Sequence, residues 1–121
     1  MTQRLTWNAL LSIRCDLLGG ELECRRHGAH YKGPIKSWAI SDRRIGFQLT
    51  QIEFWSKEDK RWLTVAQESA FIAMDKRDVH TRTLTTEGKI VFDFVKTKEE
   101  KPTVVINLTP HLASNIALRL K

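Results

Sequence analysis

A chain of 121 residues, 41% of them hydrophobic, is the size and composition of one folded domain with one core, which excludes a disordered polypeptide. Its net charge of +6 is diffuse, with +3 in residues 1–40, 0 in 41–80 and +3 in 81–121, so no basic tail or stripe marks a polyanion binder, and the apolar runs are too short for a membrane-spanning helix. No basic-then-apolar signal segment opens the sequence, and two cysteines, Cys15 and Cys24, are too few for a disulfide scaffold, so a cytoplasmic chain with reduced thiols is expected.

From Trp7 to Leu18 the apolar residues Trp7, Leu10, Leu11, Leu17 and Leu18 form a helical stripe interrupted by Arg14. Thr6 can cap its start and Gly19 can supply a left-handed residue at its end, which predicts a helix over 6–18. A hairpin turning at Gly19-Gly20 is the rival. It would set Arg14 against Arg25 and Asp16 against Glu23, and opposed like charges destabilise a ladder, so the helix is preferred.

The middle of the chain reads as two hairpins. A turn at Asp42-Arg43 pairs Ile40 with Ile45 and Trp38 with Phe47 on one face. The apolar phase is then odd through Ile45, Phe47 and Leu49 but even at Ile52 and Phe54. An extra residue near Thr50-Gln51, a bulge, would return all five to the core and bend the strand. A second turn at Glu58-Asp59 pairs Phe54 with Leu63 and Ile52 with Val65 on the core face, and Trp55 with Trp62 on the other. A strand at Ala70–Met74 and a charged turn at Asp75–Asp78 follow. Val79–Thr86, rich in Thr but poor in large apolar residues, reads as an edge strand. After a turn at Glu87-Gly88, Ile90, Phe92 and Phe94 match Val104, Ile106 and Leu108 across a solvated loop, Lys96–Lys101.

The clearest helix is the last. Thr109 is an N-cap, Pro110 occupies the first helical position, and Leu112, Ala113, Ile116, Ala117 and Leu120 make one apolar stripe over 109–121. The expected architecture is therefore a mainly β (α+β) single domain, 1–121. It is a small antiparallel β-barrel or strongly bent sheet of seven to eight strands between about residues 21 and 108, with a helix at each end. Strand count and terminal helix are loosely similar to those of SH3-like and pleckstrin-homology-like small-barrel modules, a likeness of fold class that assigns no function.

Three groups of residues could carry chemistry. Cys15, Cys24, His27 and His30 are of the types zinc prefers, but their spacing matches no paired arrangement, and Arg25 and Arg26 would oppose a cation; no metal or cofactor is expected. Ser41, Asp42, His80 and His111 form no motif for nucleophilic or acid–base catalysis, and an enzyme is not expected. The remaining group is Trp55 opposite Trp62. If their hairpin face is open, two indoles beside Lys57, Lys60 and Arg61 make a stacking platform; if a helix covers it, they are a second small core. The leading expectation is a non-enzymatic module that binds a protein partner or itself, because mixed charges fill the turns. The alternative is a nucleic-acid-binding barrel using Trp55, Trp62, Arg43, Arg44, Lys60 and Arg61.

Overall fold

A computed structural model of the chain describes residues 2–26, 28–64, 70–95 and 102–120. In chain order the elements are β1 (Gln3–Arg4), α1 (Trp7–Ser12), a 3-10 turn (Arg14–Leu17), β2 (Glu21–Arg26), β3 (Ala29–Ile40), β4 (Arg44–Leu49), β5 (Glu53–Ser56) and β6 (Arg61–Thr64). Then come β7 (Ala70–Asp75), a second 3-10 turn (Lys76–Asp78), β8 (Val79–Leu84), β9 (Lys89–Phe94), β10 (Thr103–Asn107) and α2 (Pro110–Arg119). The described ladders are all antiparallel and run β1-β8-β9-β10-β2-β3-β4-β7, with β5 added to β3 and β6 to β5.

This is a mostly antiparallel β fold with a C-terminal helix. Among the described residues no ladder joins β7 to β8 or β1, so the sheet is open and the expected barrel is not reached. It is nevertheless curled. Six strand spacings separate β8 from β7 in the sheet order, roughly 29 Å if the sheet were flat. Only Lys76–Asp78 connect them, a link that reaches at most about 14 Å, so the two ends of the sheet must approach each other. Across this concave side Arg26, at the end of β2, donates both terminal amino groups to the Ala73 carbonyl of β7 (3.1 and 3.3 Å).

The curl arises at irregular residues. β4 ends at Leu49 and β5 begins at Glu53, with Gln51 in the left-handed region (φ 49°), so pairing breaks where the phase change predicts it. A second shift, between Ile35 and Ser37, makes Lys36 an extra residue of β3; it explains why the core phase is odd at Ile35 and even at Trp38 and Ile40. A third, between Val79 and Thr81, lies in β8.

The N-terminal helix is shorter than expected. Thr6 caps it, its hydroxyl accepting from the Ala9 amide (3.0 Å), but the α-helix stops at Ser12 and the chain tightens into the 3-10 turn. Leu10, Ile13 and Leu17 are all buried, and the tighter turn brings all three to one side despite the polar Arg14 between them. Gly19 does take the left-handed conformation (φ 94°). The pairing of Gln3 and Arg4 with Leu84 and Thr83 was not expected, and it makes β8 an inner strand instead of an edge. At the other end Thr109 accepts from the Leu112 amide (3.2 Å), α2 packs on the Arg14–Leu17 turn, and Ile116 is buried while Ala117 is exposed. Hairpin register agrees with expectation at Ile40–Ile45, Trp38–Phe47, Phe54–Leu63 and Trp55–Trp62; across β9 and β10 the ladder pairs Ile90 with Ile106 and Phe92 with Val104, while Phe94 pairs with Val79. Val65 and Lys96–Lys101 lie outside the described residues.

One residue expected in the core, Phe54, lies outside it, and others, Trp38 among them, are only partly buried. Phe54 is 39% exposed, because β5 pairs with β3 only at Tyr31 and Lys32 and so hangs beyond the well-packed part of the sheet. Trp38 is half-buried and carries the Arg14 guanidinium over its ring at 4.8 Å.

Candidate functional site: an indole and cation face on the outside of the sheet

Side-chain alternation decides what shares this face. In β2 and β3, Leu22, Cys24, Gly33 and Ile35 point inward, so Glu23, Arg25, His30 and Lys32 point outward. The short β3–β5 ladder sets Lys32 against Glu53, and the β5–β6 ladder places Trp55 and Trp62 on that same outer face. The site is thus assembled from two hairpins, β2–β3 and β5–β6, joined only through the short β3–β5 ladder.

Its geometry is tightly connected. Trp55 and Trp62 meet edge to face with ring centroids 5.6 Å apart, and His30 meets Trp62 edge to face at 4.7 Å. The Lys32 ammonium lies 4.1 Å from the centroid of Trp62 and 3.7 Å from Glu53 Oε2. His30 Nε2 donates to Glu23 Oε2 (2.8 Å), and its Nδ1 accepts from an amino group of Arg25 (3.2 Å), an arrangement satisfied by the neutral imidazole. Beside these residues runs an open groove of about 340 Å³ lined by Arg25, Gly28, His30, Trp55 and Lys57. Gly28 has φ 77°, and among the described residues nothing beyond its chain neighbours lies within 4 Å of where its β-carbon would be.

Both helices pack on the Arg14–Leu17 turn, each burying a residue in the core, and Trp55 is 38% exposed. The covered-hairpin alternative therefore does not hold. Of the residues singled out from sequence, Trp55 and Trp62 are brought together, and Lys60 and Arg61 stand exposed at the tip of their hairpin, with Lys60 at φ 53°. Arg43 and Arg44 belong to a different place. They occupy the β3–β4 turn, where Arg44 pairs with Asp75, roughly 30 Å of strand away from Lys32. Lys57 stands beside the pair, as its place in the hairpin turn implies, whereas no local signal carries Arg25, His30, Lys32 and Glu53 to this face, because the β3–β5 pairing that gathers them is long-range.

The cysteine and histidine residues do not form one group. Cys15 is exposed on its turn, Cys24 and His30 face opposite sides of the sheet, and His27 lies outside the described residues. Burial pushes the Cys24 thiol up, and burial together with the hydrogen bond between Cys24 and Tyr31 pushes the Tyr31 hydroxyl up to about 12, so both keep their protons. Ser41 Oγ accepts from the Arg44 amide and His111 is bonded to Asn115, so each is engaged locally. Among the described residues no helix is long and apolar enough to cross a membrane.

Comparison of the chain with protein-family models, with curated proteins and with solved structures finds no match.

Proposed function

We propose that this chain is a non-enzymatic binding module on a nearly closed small barrel, and that its indole face takes single-stranded nucleic acid. The observation that carries the reading is charge sorting around an exposed ring. The two carboxylates of the face, Glu23 and Glu53, are engaged by His30 and Lys32, whereas among the described residues neither Arg25 nor Lys57 has a carboxylate partner. An exposed indole flanked by two cations that no described carboxylate contacts directly suits flat bases joined by phosphates. A cytoplasmic location goes with this reading, supported by two free cysteines.

A protein partner or a second copy of the chain is the second reading. It is favoured by Phe71, 56% exposed on β7, a strand at the end of the sheet order.

The test is anisotropy of a labelled single-stranded oligonucleotide of about twelve nucleotides, within the usual range of site sizes. Affinity should fall steeply between about 50 and 200 mM salt, because releasing counterions into a more concentrated solution gains less entropy. Replacing both Trp55 and Trp62 by Ala should weaken binding at least about tenfold, since each stacked base contributes roughly 1–3 kcal/mol. Absence of binding, or binding indifferent to salt and to the double variant, overturns the reading and leaves the β7 edge as the surface to test.

A further inference from the structure

We infer that the groove bounded by Arg25, Gly28, His30, Trp55 and Lys57 seats one nucleotide unit, with the base on Trp55 and its phosphate between Arg25 and Lys57. This rests on the nucleic-acid reading of the face and assigns unequal roles within it.

The two indoles are not equivalent. Trp62 is enclosed by three neighbours, with Lys32 at 4.1 Å, the His30 ring at 4.7 Å and the Trp55 ring at 5.6 Å. Trp55 lines the groove and Trp62 does not. Trp55 is therefore the stacking ring and Trp62 the positioning residue that fixes its tilt.

The cations are arranged to match. Glu23 accepts from His30 Nε2, and His30 Nδ1 accepts from one amino group of Arg25, a chain that orients the guanidinium. Arg25 has further N–H groups, and a guanidinium fork suits the oxygens of a phosphate. Lys57 follows β5 on the same wall as Trp55 and supplies a second positive charge. Glu58 and Asp59 sit at the hairpin tip, where Ser56 Oγ accepts from the Asp59 amide and donates to Asp59 Oδ2. The groove volume, about 340 Å³, lies at the small end of ligand pockets, roughly 300–1,000 Å³, which suits one unit and not a dinucleotide. With stacking and phosphate contact as its means of recognition, the groove should tolerate any base.

The experiment uses the full chain with the same oligonucleotide, and with adenosine monophosphate and adenosine as probes for the single unit. Trp55→Ala should lower oligonucleotide affinity at least about tenfold and Trp55→Phe should restore most of it. Arg25→Gln and Lys57→Gln should each flatten the salt slope by about one, while Arg43→Gln leaves it unchanged. The monophosphate should shift the backbone amide resonances of Gly28 and His30 and adenosine should not. If the parent binds the oligonucleotide but Arg25→Gln and Lys57→Gln bind as it does, the groove assignment fails and the face reading survives. If the monophosphate binds the groove more tightly than the oligonucleotide does, the groove stands as a free-nucleotide site and the strand reading falls. If the parent binds neither, both fall.

Discussion

Two hairpins of this chain, Ala29–Leu49 and Glu53–Thr64, pair by the same alternation of apolar residues, yet Phe47 in the first is 1% exposed and Phe54 in the second is 39% exposed. The difference lies in what stands beside each. β4 has a ladder on both edges, with β3 and with β7, and its inward residues meet those of β9, Phe47 touching Phe92 edge to face at 6.5 Å. β5 has β6 on one edge and two residues of β3 on the other. A hairpin with a neighbour on each edge and a layer beneath it becomes core, whereas one held at its base alone keeps both faces partly wet. That half-supported state is what leaves Trp55 exposed while Trp62, meeting it edge to face, is flanked by His30 and Lys32.

Substitutions can break or sharpen this contrast. The largest effect is expected from Ile116→Asp, which would bury an unpaired charge where α2 meets the core and should cost about 3–5 kcal/mol. An unchanged urea midpoint would mean that α2 contributes nothing to the well-packed half. Next, Phe47→Ala should cost roughly 3–4 kcal/mol, and Phe54→Ala less than about 1.5 kcal/mol because its ring already meets water. Equal costs in urea titrations would erase the distinction between the hairpins.

The smallest effect concerns Asp75, at the end of β7 in the well-packed half. Its carboxylate accepts from the Arg77 side chain (3.1 and 2.8 Å) and amide (2.9 Å), and these bonds hold it down at about 2. A carboxyl lowered in the folded state stabilises the fold above its ordinary value, near 3.8, and that contribution is lost as the pH falls through about 2. Asp75→Asn should therefore lower the urea midpoint slightly at pH 6, with the gap to the parent closing as the pH approaches 2. A gap that does not change with pH would assign the loss to packing instead, the pair being solvent-screened.

Much of this could be read along the chain because it depends on neighbours a few residues apart. A two-residue alternation sets which side chains oppose each other, so the registers at Trp38–Phe47 and Trp55–Trp62 follow from turn position alone. The bend near Gln51 follows from the phase change between Leu49 and Ile52, and the same kind of change between Ile35 and Trp38 was equally legible for the bulge at Lys36. Caps are local too, which is why Thr6 and Thr109 behave as their types suggest.

Other features had no local cause and came only with the folded chain. Whether a paired apolar residue becomes core depends on a second layer, which is why Phe54 and Phe47 diverge despite equal hydrophobicity. The order of strands brings Gln3 and Arg4 onto β8 and Lys32 onto Glu53, contacts between segments that share no sequence signal. Charge was sorted at the same level. Read along the chain, Glu23 and Glu53 dilute the basic residues around them; folded, Glu53 pairs with Lys32 and Glu23 is hydrogen-bonded by the His30 imidazole, and among the described residues Arg25 and Lys57 beside Trp55 have no carboxylate contact. Composition counts charges, but ion pairs form over a few ångströms, and only the tertiary structure sets those distances.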